Sequence, residues 1–121
     1  MDEEHLRDLF ASLPAISIRR MFGGQGIYCD GIIIAVVLDG ELYLKCDPET
    51  EAAYEAAGCD RWRYTRPGRA PVAMPYYRLP DEALEDADEM ARWALVAVSA
   101  ARNAVGRKAS GPSRKRASPR A

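Results

Sequence analysis

The sequence predicts an α+β domain of two layers, helices packed on one antiparallel sheet, in the element order α-βββ-α-ββ-α. Three observations predict it. Apolar residues at helical spacing open the chain (Leu6, Leu9, Phe10, Leu13) and return near its end (Met90, Trp93, Ala94, Ala97, Val98, Ala101). Between them the apolar pattern becomes strand-like, and two Asp-Gly pairs, Asp30-Gly31 and Asp39-Gly40, each stand between apolar runs, the strongest short-range hairpin signal. Finally, 121 residues with 48% hydrophobic positions make one domain, too apolar to be disordered throughout.

The first helix covers Asp2 to Leu13; its acids at 2–4 suit the positive end of the helix dipole, and Pro14 stops it. Ile16 to Phe22 then reads as a strand. Gly23-Gly24-Gln25-Gly26 reads as a turn or bulge within it, and Ile27-Tyr28-Cys29 continues it. After the Asp30-Gly31 turn comes Ile32 to Leu38, apolar at every position, which predicts a strand buried on both faces. Asp39-Gly40 turns into Glu41 to Cys46, with Leu42 and Leu44 on one side and Tyr43 and Lys45 on the other.

Asp47-Pro48-Glu49 opens a second helix, with Asp47 as its cap and Gly58 placed to end it. Arg61 to Arg66 alternates as a strand, with Trp62 and Tyr64 expected inward and the arginines outward. Val72 to Leu79 returns as its partner, and Pro75 makes that strand an edge or bulged one. Asp81 to Leu84 reads as a helical turn. Asp86 and Glu89 form a capping box for the last helix, which is expected to fray near Asn103–Gly106.

Charge divides the chain. Residues 106–121 hold six basic residues (Arg107, Lys108, Arg114, Lys115, Arg116, Arg120) and no acid, which leaves residues 1–105 with eleven bases against 18 acids, a net of −7. The expected organisation is a folded body, 1–105, and a disordered basic tail, 106–121. No apolar run approaches the roughly 18 residues of a membrane span. The acidic start, Met1-Asp2-Glu3-Glu4, is unlike a secretory or transit leader. Three cysteines without a CxxC pair, and a single histidine, fit neither a disulfide framework nor a zinc site and suit a reducing cytoplasm.

Residues that carry chemistry are few. The glycine cluster lacks GxGxxG or GxxxxGK[ST] spacing and precedes a strand, so a bend explains it better than a phosphate loop. His5 lies on the polar side of the first helix. Cys29, Cys46 and Cys59 flank element ends as small, partly buried thiols. No catalytic, cofactor-binding or metal-binding residue is assigned, and no enzyme activity is expected. Arg61, Trp62, Arg63, Tyr64, Arg66 and Arg69, with Tyr76, Tyr77 and Arg78 opposite, read either as a solvated hairpin or as a basic, aromatic ribbon for nucleic acid. The six tail cations read either as a solubilising terminus or as an arm binding about six phosphates without sequence preference.

Arg20-Met21-Phe22-Gly23-Gly24-Gln25-Gly26-Ile27-Tyr28, followed by Leu42-Tyr43-Leu44-Lys45, Tyr64, Met74-Pro75-Tyr76-Tyr77-Arg78-Leu79-Pro80 and Trp93-Ala94, resembles the N-terminal domain of the bacterial TfoX/Sxy family over roughly residues 3–103. The resemblance implies a two-layer fold similar to secretion chaperones, no catalytic activity, cofactor or metal, and an association with transcriptional activation of DNA-uptake genes. The matching positions (Arg20, Met21, Phe22, Gly23, Gly24, Gly26, Ile27, Tyr28, Leu42, Tyr43, Leu44, Lys45, Tyr77, Pro80, Trp93) are expected to be structural. Family members that control competence carry a second, helical domain after this one. The 16-residue basic tail here is too short and polar to form it, so a stand-alone variant is expected.

The functional expectation is a cytoplasmic regulatory or interaction module that binds rather than catalyses. The doubly apolar strand predicts a homodimer or protein partner covering the sheet. The alternatives are a nucleic-acid-binding accessory protein using the tail, and a small-ligand sensor at the glycine hairpin with Arg20, Tyr28 and Lys45.

Overall fold

The computed structural model describes residues 1–21 and 23–110, with side chains through Arg107. Phe22, the Lys108 side chain and the tail cations Arg114, Lys115, Arg116 and Arg120 lie outside the described residues. Helix α1 spans Glu3–Leu9, and Asp2 caps it by accepting from the His5 backbone N–H at 3.2 Å. Strands β1 (Ile16–Met21), β2 (Gly24–Cys29), β3 (Ile32–Leu38) and β4 (Glu41–Lys45) follow. Then come α2 (Glu51–Ala56), β5 (Arg61–Tyr64), β6 (Val72–Arg78), a 3-10 turn at Asp81–Leu84, and α3 (Ala87–Ser110).

All six strands form one antiparallel sheet in the order β1-β2-β3-β4-β6-β5. The α+β class and two-layer arrangement are as the sequence predicts; the strand count is not. The segment expected as one bent strand folds back on itself, because Gly23 takes φ +76° and Met21 pairs directly with Gly24. Four strands therefore precede α2 instead of three. Both Asp-Gly pairs form the predicted turns, with Asp30 and Asp39 at φ 52° and 51° and the following glycines also positive.

The uniformly apolar β3 is buried on both faces at its centre, as predicted, and it also carries an irregularity that the sequence did not reveal. Ile27 pairs with Ala35 but Tyr28 with Ile33, so Ile34 is an extra residue, a β-bulge. The bulge turns Ile34 and Ala35 to the same side. Ile34, Ala35 and Val37 join the hydrophobic core, whereas Val36, although buried, does not. The positions of the other face, Ile33, Val36 and Leu38, are apolar too, so the strand is apolar on both sides of the sheet and the bulge only shifts which residues face the helices.

Paired residues share a face, so the register sorts the whole sheet. Ile27, Ala35, Val37, Leu42, Leu44 and Tyr77 face the helices. There α3 lies across β3 and β4 and presents the predicted stripe, Met90, Trp93, Ala94, Ala97, Val98 and Ala101, all buried. Asp86 caps this helix, accepting from the backbone N–H groups of Asp88 and Glu89. The helix does not fray at Asn103–Gly106 but continues to Ser110, past the expected boundary at 105.

At the core's other end Tyr54 of α2 is stacked between Tyr77 and Trp93, with ring centroids 4.9 and 5.1 Å away. Its hydroxyl donates to the Lys45 carbonyl at 2.8 Å. Strand β6 is interior, so Pro75 makes it bulged rather than an edge: the register shifts between Arg61 and Arg63. That shift puts Arg61, expected outward, in a half-buried position, bonded to Glu51 and to the Met74 carbonyl. Tyr64, expected inward, is 49% exposed.

Candidate functional site

The helices cover one face of the sheet, and the chemistry-bearing side chains of the other face converge. By register that open face carries Arg19, Met21 and Tyr28 from the first hairpin, Ile33, Val36 and Leu38 from β3, Glu41, Tyr43 and Lys45 from β4, and Tyr76 and Arg78 from β6. Trp62 of β5 joins them. Its ring lies 6.3 Å from Tyr43 and 6.0 Å from Tyr76, tilted against both. Two cations lie on aromatic rings, Arg19 over Tyr28 and Lys45 over Tyr76, each 5.1 Å from the centroid.

Lateral packing of these rings buries Val36 and Tyr76, while Tyr28, Tyr43, Trp62 and Lys45 stay partly exposed. Burial, reinforced by the Tyr28 phenol and the Cys46 thiol, pushes the Tyr76 hydroxyl up to about 12, so it stays protonated at neutral pH. Arg78 is bound at 2.7 Å by Glu41 and at 3.3 Å by Asp81.

Charge is segregated across the sheet. The six strands contain six basic residues (Arg19, Arg20, Lys45, Arg61, Arg63, Arg78) and one acid, Glu41, itself paired with Arg78. The acids lie mainly in the helical layer: Glu3, Glu4 and Asp8 on α1, then Asp81 to Glu89 around the 3-10 turn and the start of α3. Of the six basic residues, Arg19, Lys45 and Arg78 lie on the open face with Glu41, so a net-acidic body presents there a face with a small excess of positive charge among its aromatic rings.

The motif positions divide between the two faces. Ile27, Leu42, Leu44, Tyr77 and Trp93 are core residues, whereas Met21, Tyr28, Tyr43 and Lys45 belong to the open face. A Cβ on Gly24 would stand 2.0 Å from the Val37 carbonyl oxygen, so the close approach of strands requires glycine there. Gly26 lies beneath Met21 and Tyr28. Pro80 leads into the 3-10 turn, its carbonyl accepting from Ala83 at 3.0 Å.

The ligand site expected at the glycine hairpin is not assembled as foreseen. Arg20 lines an open cleft of about 550 Å³ with Gly23, Gly24, Gln25 and Asp39. Lys45 lies on β4, separated from β1 by two intervening strands, over Tyr76. His5 is exposed on α1. Burial raises the Cys46 thiol and, helped by Asp60, pushes Cys59 up to about 11, which keeps both protonated. Among the described residues no cluster of three or more His, Cys, Asp or Glu side chains is arranged to hold a metal.

Of the tail cations, Arg107 is described, and its guanidinium lies 3.3 Å from the buried Asp47 carboxylate. Sequence reasoning singled out the β5–β6 ribbon but missed Arg19, Tyr28 and Tyr43 as its neighbours on the face. Strand parity would have placed them only with the Ile34 bulge already known.

Residues 8–101 match the TfoX N-terminal domain. The chain belongs to that family. Over 79 residues it is 37% identical to Protein Sxy of Escherichia coli K12, covering 64% of this chain and 36% of the relative. Over 64 residues it is 31% identical to DNA transformation protein TfoX1 of Aliivibrio fischeri, covering 53% of this chain and 31% of the relative. The chain therefore spans about a third of the length of these curated relatives. Among the described residues, no helix of this TfoX N-terminal domain is long and apolar enough to cross a membrane.

Proposed function

We infer that this TfoX-type domain is a cytoplasmic regulatory module that acts by binding a partner on its open sheet face, without catalysis, in the control of competence or related genes. The observation that carries the reading is the face itself: Tyr28, Tyr43, Trp62 and Tyr76 gathered with Arg19 and Lys45 on the side of the sheet without helices. Similarity to a protein named for DNA transformation supplies the regulatory context. The protonated thiols and the exposed lone histidine support binding over nucleophilic chemistry.

Transcript profiling tests it in the source bacterium. A deletion strain complemented with the wild-type chain should recover the normal profile. Arg19→Gln with Lys45→Gln should behave as the deletion at equal protein level, and Leu95→Ser on the outer side of α3 should behave as wild type. A deletion that leaves every transcript unchanged overturns the regulatory reading. Full rescue by the Arg19/Lys45 variant removes the open face from it.

A second copy of the chain is the other occupant to consider, favoured by the apolar Ile33, Val36 and Leu38 at the centre of the face. Sedimentation at tens of micromolar decides it, since a 13.4 kDa species excludes the dimer.

A further inference from the structure

Resting on the open face as the binding surface, we propose that its ligand is single-stranded nucleic acid, bound by stacking of bases on Trp62, Tyr43 and Tyr28 and by phosphate contacts to Arg19 and Lys45. Two independent features select this ligand class. The first is charge: the open face carries three bases, Arg19, Lys45 and Arg78, to one acid, Glu41, which pairs with Arg78, while the acids cluster behind the sheet, so a polyanion is drawn to one side of a body whose net charge is −7. A second copy presented face to face would bring one net-positive surface against another. An anionic ligand would not.

The second feature is the row of rings. Following the sheet order from β2 through β3, β4 and β6 to β5, the face offers Tyr28, Tyr43, Tyr76 and Trp62, and the row continues at the exposed edge with Tyr64, over which Arg66 lies at 5.9 Å. Four strand spacings cover about 19 Å, room for about four nucleotides. Ring faces with cations beside them accept any base, because every base has a π-face, so binding is expected to tolerate sequence. A duplex hides its bases and meets only the cations. Preference for single strands is therefore the distinguishing property of this surface, in contrast to a basic tail that reads phosphates alone.

The two tryptophans make the test internal to the full chain, because Trp93 is enclosed in the core and Trp62 is on the face. Titrating the protein at low salt with a short oligothymidylate is expected to quench tryptophan emission, and Trp62→Phe is expected to abolish the quench. Arg19→Gln with Lys45→Gln, folded by circular dichroism, should weaken binding about ten-fold, and a duplex of equal length should bind at least ten-fold more weakly than the single strand. An anisotropy rise on labelled oligonucleotide without quenching, or equal affinity for duplex, assigns binding to the tail and overturns the proposal. Absence of any binding overturns it as well. If the Arg19/Lys45 variant still fails in cells after such a result, the regulatory reading stands with a protein as the partner.

Discussion

Asp47 and Arg107 lie sixty residues apart in sequence, yet the Arg107 guanidinium donates to the Asp47 carboxylate at 3.3 Å. The same carboxyl oxygen accepts from Asn103 at 3.0 Å, and the other oxygen accepts from the backbone and hydroxyl of Thr50. The carboxylate is buried, and it ties the last turns of α3 to the β4–α2 junction. A helix end expected to fray is held by this contact.

Asp47→Ala should therefore destabilise the domain by about 2–4 kcal/mol in urea unfolding, because it strands the Thr50 and Asn103 donors. Arg107→Ala, at a half-exposed position, should cost less than about 1 kcal/mol. Burial alone would push the Asp47 carboxyl up, but the hydrogen bonds from Thr50, Asn103 and Arg107 outweigh it and hold it below the ordinary carboxylate range. A depressed folded-state value adds stability above the unfolded value, near pH 4, and that share is lost as pH falls through the folded value. Stability of the wild type measured from pH 6 to pH 2 should fall accordingly, and Asp47→Asn should flatten that part of the curve.

Gly24→Ala should be among the most damaging single-methyl additions, costing about 3 kcal/mol or preventing folding, because the Val37 carbonyl has no room to yield. Gly26→Ala meets chiefly the flexible end of Met21, at 2.9 Å, and should cost about 1 kcal/mol. Thermal melts of the two variants side by side check the contrast; similar melting temperatures would refute it.

Tyr54 separates two contributions. Tyr54→Phe keeps the stack between Tyr77 and Trp93 and loses the bond to the Lys45 carbonyl, for about 1 kcal/mol. Tyr54→Leu removes the stack as well and should cost about 3 kcal/mol. Chemical denaturation with matched slopes reads both values.

Cys59 should react slowly. With its thiol pushed up to about 11 by burial and by Asp60, alkylation of the native protein at pH 8 is expected to run well below the rate of the unfolded chain. The native rate should climb about ten-fold per pH unit until the thiol titrates. A native rate at pH 8 equal to the unfolded one would show a low-lying thiolate instead.

Much of this architecture was legible because its causes are local. Asp-Gly pairs force positive φ at both turn centres, Asp86 caps the helix it directly precedes, and the α3 stripe repeats at the helical period. Where a cause was local but ambiguous, the reading slipped: Gly23-Gly24 permits a bend, a bulge or a reversal, and only the pairing of Met21 with Gly24 shows the reversal. Residues 20–28 likewise identified the family, while the division of that motif between core and open face followed from the register.

The sequence by itself determined the fold class, the start of α3 at its Asp86 cap, both Asp-Gly hairpins and the family. The tertiary structure alone decided the bulge at Ile34, the meeting of Arg19 and Tyr28 on one face with Tyr43, Trp62 and Tyr76, and the Asp47–Asn103–Arg107 contact. The physical reason is range. Turn chemistry and periodicity act within a few residues, whereas one bulged residue reverses the face of every strand position beyond it, and a buried carboxylate takes its partners from wherever the packed chain brings donors.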